Sequence, residues 1–575
     1  MTQPSLFSAV VEPARPADAG PRFTPIELAR LLRLHAPTAE QAAIVAAPVR
    51  PLLVVAGAGS GKTETMAARV VWLVANGYVR PDQVLGLTFT RKAAGELGHR
   101  IRTRLGQLVR RLGRDARDPA GDLLAGEPTV ATYHSYAARI VTEHGLRSGY
   151  EPSTRLLTEA SRWQIVDLLV RNYAGDMSDV DRMPSTITDA VLALAGELAE
   201  HLQTPDDLAA WTGRFFADVQ SRPGRIYADV RKALAVQQIR LRLLPLVRAY
   251  DQRKVDFEAM DFGDQLARAA RVARDHPEVG VIERERYRVV LLDEYQDTSH
   301  AQVVLLRSLF GDGHPVTGVG DPCQSIYGWR GASAGTLDRF PFDFAERGRP
   351  APTLTLTTSW RNRPEILRVA NTLSAPLRAG GARVAELAPA FTVDEPIAGR
   401  TALGARGATV HCALLPTYDD EATWIADGVL AAWRGAARLP DALPEHIPVE
   451  RRPTTAVLVR LRSQIPAIEA ALRARGLPVE VVGLGGLLDT PEVRDVVCTL
   501  RVLADPTDGA SLLRLLTGAR WRIGPRDLVA LHRRATVIAR DRRSLHEQSG
   551  TPAADEPEIV TDRLDEATLV EALAD

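Results

Sequence analysis

Ala56-Gly57-Ala58-Gly59-Ser60-Gly61-Lys62-Thr63 is the stretch on which the fold turns. It follows an apolar run at 52–55, opens a helix-patterned run at 62–75, and precedes a second apolar run at 84–87. Strand, helix and strand at that spacing form the βαβ unit of a parallel sheet, so the fold class is α/β. The glycines let backbone N–H groups close around an anion, and the helix N-terminus behind them adds partial positive charge. Lys62 then suits β- and γ-phosphate oxygens, and the Thr63 hydroxyl suits Mg²⁺. The chain holds 71 Lys and Arg residues, of which only Lys62, Lys92, Lys232 and Lys254 are lysine. A chain that writes Arg almost everywhere keeps a compact ammonium here, where a planar guanidinium would fit poorly.

Far downstream, the apolar residues 289–292 run into Asp293-Glu294, which sets two carboxylates at the C-terminal end of a strand, where ligands sit in open α/β sheets. Asp293 is read as the Mg²⁺ ligand and Glu294 as the group that orients and deprotonates an attacking water. A further apolar run at 316–319 ends in Gly320-Asp321-Pro322-Cys323-Gln324-Ser325-Ile326-Tyr327-Gly328-Trp329-Arg330-Gly331-Ala332. Aromatic residues crowded among glycines in a polar loop suit stacking on bases, and Gln324 suits a sensor of the γ-phosphate. Between about 106 and 285 helical patterns dominate, as a helical block inserted in one sheet would. Residues 353–357, 455–459 and 479–482 read as strands, with helices at 364–373 and 465–475, so a second α/β domain is expected. After about 486 the pattern turns helical again.

With 575 residues, a handful of domains is the prior. Hydrophobic residues at 45% and charged residues at 25% fit a globular protein, and no apolar run approaches the ~20 residues of a membrane span. Residues 1–20 are Pro/Ala-rich, unlike a signal peptide, and read as a disordered leader. Cys323, Cys412 and Cys498 are scattered too widely for a disulfide framework or a zinc site, which fits a reducing cytoplasm. The net charge of +0 announces no nucleic-acid partner, so DNA binding would need local clusters. One candidate is 98–117, with seven arginines against Asp115; a solvated helical face is the competing reading.

Taken in order, these segments resemble the UvrD/Rep group of superfamily 1 DNA helicases, which move 3′ to 5′ on single strands. Pro37-Thr38-Ala39-Glu40-Gln41 resembles the family's adenine-reading motif, with Gln41 the base contact, and Arg69 resembles a residue that touches the nucleoside. Thr88-Phe89-Thr90-Arg91 and Thr132-Tyr133-His134 resemble two DNA-contacting motifs, and Met260-Asp261-Phe262-Gly263-Asp264 an acidic stretch before the Asp293-Glu294 motif. In Ser359-Trp360-Arg361-Asn362, Trp360 would stack on adenine and Arg361 would be an arginine finger on the γ-phosphate. Gly485-Gly486 with Pro491-Glu492-Val493 resembles the opening of the duplex-binding accessory domain, and Arg522-Ile523-Gly524 its duplex contact.

The resemblance implies RecA-like domains, parallel sheets flanked by helices, with inserted helical accessory domains. It divides the chain into a leader at 1–24, a first RecA-like ATP-binding domain at 25–105 and 286–345, and a helical insertion at 106–285. An incomplete second RecA-like domain at 346–485 and the start of the accessory domain at 486–575 follow. The cofactors would be ATP and Mg²⁺. Lys62, Glu294, Gln324 and Arg361 would be catalytic, and Ala56, Gly57, Ala58, Gly59, Ser60 and Gly61 would wrap the phosphates. Single-stranded DNA would meet Thr88, Phe89, Arg91, Thr132, Tyr133, His134, Tyr327, Trp329 and Arg330. The family's later motifs V and VI have no counterpart after Arg361, so the chain is expected to be the front of a longer, actinobacterial-type protein or a shortened subunit. Two functions follow: an ATP-dependent helicase of repair or recombination, or a nucleotide- and DNA-binding subunit of a helicase–nuclease complex. A metabolic kinase accounts for neither the aromatic loop nor Gln324.

Overall fold

The computed structural model describes residues 20–112, 126–151, 154–177, 180, 182–328, 335–390, 410–482, 490–548 and 568–575. Six strands make its main sheet: β1 (Leu52–Ala56), β2 (Val84–Thr88), β3 (Thr129–Thr132), β4 (Val289–Leu292), β5 (Val316–Gly320) and β6 (Thr353–Leu356). Their order is β3-β2-β4-β5-β1-β6, and every pairing is parallel. Such sheets are covered on both faces, which explains why β1, β2, β4 and β5 are near-continuous apolar runs. Leu53, Val55, Leu85, Leu87, Val290 and Leu292 face one core, with helices Tyr133–His144, Phe262–Asp275 and His300–Phe310. Leu52, Val54, Val84, Val289 and Leu291 face the other, with helices Lys62–Ala75 and Arg91–Leu112. Because β4, β5 and β1 are adjacent and parallel, their C-terminal loops emerge together at one edge.

Two expectations about strands need correcting. The run at 353–357 was expected to open a second domain, yet β6 pairs with β1 at the edge of the first sheet, Leu53 opposite Thr353 and Ala56 opposite Leu356. The helical insertion expected from 106 is interrupted by β3, which pairs with β2. Beyond β3 the insertion has its own core, where Val166, Val191, Leu198, Val247 and Tyr250 join helices Glu159–Arg171, Pro184–Glu200 and Ala228–Asp256.

The chain divides into two compact units, Met1–His411 and Cys412–Asp575. In the second, helices Tyr418–Ala437 and Ile465–Ala474 pack around Ala426, Trp433, Ile447 and Leu472. The strands expected at 455–459 and 479–482 do not form there. Leu458 and Val482 are 93% and 90% exposed, and apolar alternation alone makes no strand without a neighbour to complete its hydrogen bonds. Residues 1–19 of the expected leader at 1–24, and Gly485-Gly486, lie outside the described residues. Among the described residues no helix is long and apolar enough to cross a membrane.

Candidate functional site: the phosphate loop, the acid pair and an aromatic face

The loop after β1 turns through Gly59 and Gly61, at φ +76° and +84°, a region L-residues rarely adopt. Ser60 Oγ donates to the Gly57 carbonyl at 2.8 Å, and the helix Lys62–Ala75 starts directly behind. Lys62 Nζ lies 3.0 Å from Glu294 Oε2 across 232 residues of sequence. The two motifs therefore meet at one point.

Glu294 stands at φ +50°, an uncommon conformation for a non-glycine residue, and its side chain meets Lys62. Asp293 is 5% exposed. Burial, then the charge of Glu294, pushes its carboxyl up to about 6, against the pull of Lys62 and of the Glu294 N–H that it accepts. Two neighbouring carboxylates facing one ammonium leave excess negative charge, and Asp293 with the Thr63 hydroxyl offers hard oxygen donors. That donor chemistry fits Mg²⁺. Gln296, which sequence reasoning passed over, donates from Nε2 to Glu294 Oε2 at 2.9 Å and accepts the Asp321 N–H at 3.1 Å. Gln324 donates to Asp321 Oδ2 at 2.7 Å, so it reaches the site through that residue.

A cavity of about 620 Å³ opens beside Gly61, lined by Leu28, Leu32, Pro37, Gln41, Glu64 and Trp360. Its largely apolar lining suits a nucleobase. Gln41 closes a capping box with Thr38, accepting the Thr38 N–H at 3.1 Å, and its amide nitrogen lies against Gly61. Ser359 Oγ donates to the Ala58 carbonyl at 3.0 Å and the Trp360 N–H to Gly59 at 2.8 Å, which brings Arg361 against the phosphate loop. Glu40 accepts the Thr357 N–H at 3.0 Å and anchors the same crossing.

Arg69 is corrected. It is 2% exposed and lies off the cavity, donating to the carbonyls of Ile44, Ala47 and Pro48 at 2.8, 2.8 and 3.0 Å and of Val45 at 3.2 Å. Burial lowers its guanidinium to about 10. It satisfies orphan carbonyls at the end of the helix Ala39–Val45, a task one planar fork performs well. Arg69→Leu is expected to cost about 2–4 kcal/mol, since buried acceptors lose their donor. Thermal unfolding checks this: an unchanged midpoint with weakened nucleotide binding would return Arg69 to the nucleoside.

The expected DNA-contacting residues separate. Phe89 stacks on Tyr327 with centroids 5.6 Å apart, and His134 meets Phe262, 52% exposed, edge-on at 6.5 Å. Arg91 is exposed nearby in sequence, while Thr132 caps the helix Tyr133–His144 by accepting the Ser135 N–H at 3.1 Å. Thr88 and Tyr133 are corrected: both are buried, at 0% and 3%, and Tyr133 donates to the Asp293 carbonyl at 3.1 Å. A β-strand end and a helix start packed on the sheet bury those side chains. Trp329 and Arg330 lie outside the described residues. Of the arginine cluster, Arg100 and Arg104 are committed to Glu64. Asp261 and Asp264 turn inward on Lys254 at 3.9 and 2.8 Å, a structural role. In the second unit Arg522 takes φ +52°, beside Trp521 at 60% exposure.

Comparison with known proteins accords with this arrangement. Residues 37–345 match the family model of the UvrD/REP helicase N-terminal domain, and residues 354–542 match the UvrD-like helicase C-terminal domain. The chain is 30% identical over 484 residues to ATP-dependent DNA helicase UvrD1 of Mycobacterium tuberculosis, covering 83% of this chain and 53% of that one. It is 28% identical over 490 residues to DNA helicase II of Escherichia coli, covering 85% and 57%, and 25% identical over 486 residues to ATP-dependent DNA helicase PcrA of Staphylococcus aureus, covering 84% and 56%. It thus spans a little over half the length of these relatives. With the phosphate loop, the acid pair and the parallel sheet in family order, the chain belongs to the UvrD/REP helicase family, whose domains are RecA-like α/β folds.

Proposed function

We propose that this chain binds Mg-ATP beside its phosphate loop and couples hydrolysis to 3′-to-5′ movement on single-stranded DNA, unwinding duplex in repair or recombination. The reading rests on the 3.0 Å contact between Lys62 and Glu294, which joins a phosphate-binding group to a general base. Lys62 exchanges the Glu294 carboxylate for β- and γ-phosphate oxygens, and Glu294, so released, takes the proton of the attacking water. Thr63 and Asp293 would hold Mg²⁺, which would offset charge on the phosphate oxygens. Arg361 reaches the γ-phosphate from the segment fastened to the loop, Gln324 monitors it, and Gln41 with Trp360 holds the adenine. Phe89 and Tyr327, with Arg91 and His134, receive the bases and backbone of the strand.

Steady-state ATPase activity with and without a single-stranded oligonucleotide tests this. Stimulation of about tenfold or more, abolished by chelating Mg²⁺, is expected. Tight nucleotide binding with no stimulation would favour the other reading, a binding subunit of a helicase–nuclease complex.

A further inference from the structure

Gln296 is 1% exposed, and its amide is held at both ends. Nε2 donates to Glu294 Oε2 and Oε1 accepts the Asp321 N–H. A flipped amide would set a carbonyl against a carboxylate and an NH₂ against an N–H, so polarity fixes the orientation. Packing holds it too, since a Cβ added to Gly320 would come within 2.6 Å of Oε1. Two further bonds join the same segments: Ser325 Oγ donates to the Gln296 carbonyl at 3.3 Å, and the Ile326 N–H to Asp297 Oδ1 at 3.3 Å. The next residue is Tyr327, stacked on Phe89. The loop carrying Gln324 and Tyr327 is therefore fastened to the turn carrying Glu294, and a single side chain continues one of those bonds onto the carboxylate.

We infer that Gln296 is a positioning residue that couples the aromatic face to Glu294, so that a strand seated on Phe89 and Tyr327 sets the carboxylate's orientation and bound nucleotide in turn sets the loop. This rests on the functional reading above. Once Lys62 turns to phosphate, the Gln296 amide stays with Glu294 Oε2 and keeps the carboxylate oriented. Coupling between two sites is reciprocal and shows as a ratio of affinities.

The test measures binding of a fluorescent oligo-dT with and without Mg²⁺ and a non-hydrolysable ATP analogue, in the full chain, Gln296→Met and Gln296→Glu. The unmodified chain is expected to change its DNA affinity about tenfold on binding nucleotide. Gln296→Met should bind each ligand alone within about threefold of normal, while the coupling ratio falls to within about twofold of one. Gln296→Glu places a second negative charge against Glu294 at pH 8.5, which removes coupling. Protonated near pH 6, the new carboxyl again offers one donor and one acceptor, so the ratio should recover relative to the unmodified chain. A purely structural role would not give a pH-reversible ratio, and this variant carries the test if the Met variant fails to fold. Undiminished coupling in both variants overturns the inference, as does a chain that binds both ligands without coupling. Failure to bind either ligand would instead sink the functional reading itself, and the inference with it.

Discussion

Glu294→Gln should lower ATP turnover by about 10²–10⁴-fold, the usual worth of a positioned general base, while nucleotide binding holds or tightens. The substitution keeps the volume and removes the group able to accept a proton from water. It also removes the carboxylate that lies 3.0 Å from Lys62 Nζ. Lys62 and Glu294 side chains are 12% and 32% exposed, so the pair is partly shielded and competes with phosphate for the same ammonium. Freed from that competitor, Lys62 should bind ATP several-fold more tightly. Single-turnover hydrolysis and equilibrium binding of a fluorescent ATP analogue give the two numbers. Hydrolysis that survives would show that Glu294 is not the base. Loss of binding in parallel would make the Lys62 pair a structural tie.

Asp293→Asn should stabilise the protein at pH 8 while removing its response to Mg²⁺. The Asp293 carboxyl sits at about 6 in the folded chain, against an ordinary value of 3.8, because burial and Glu294 disfavour its charge. A raised carboxyl means the folded state holds the proton more tightly than the unfolded one. Stability from this group is therefore present below pH 3.8, declines through the window up to pH 6, and is lost above it. At pH 8 the buried charge costs on the order of 2–3 kcal/mol, which asparagine avoids. The variant should unfold a few degrees higher at pH 8, and the gap should narrow as pH falls through 6 and close toward 3.8. Millimolar Mg²⁺ should raise the midpoint of the unmodified chain and leave the variant's unchanged, by simple linkage. Equal midpoints at pH 8 would mean water or a rearrangement already solvates the carboxylate. A Mg²⁺ response in the variant would move the ion elsewhere.

Much of this was readable from contiguous residues. A phosphate loop carries its chemistry within eight positions, and β1, β4 and β5 announce themselves as buried apolar runs ending in functional loops, because a strand covered on both faces cannot alternate. Residue type and short spacing determined the α/β class, the Lys62 and Asp293-Glu294 motifs, and the aromatic loop that yields Tyr327. Tertiary structure alone decided which side chains are buried and which stay open. Thr88, Tyr133 and Arg69 have the residue types of contact groups, yet sheet packing and a ring of carbonyls bury them. Gln296 looks like any polar residue beside an acidic motif until the loop after β5 sets the Asp321 N–H against its carbonyl. Membership of β6 in the first sheet, and the absence of ladders at 455–459 and 479–482, were equally out of reach. Local sequence specifies conformation and chemistry. Burial and hydrogen-bond partners depend on residues tens to hundreds of positions away, and only the folded chain brings those together.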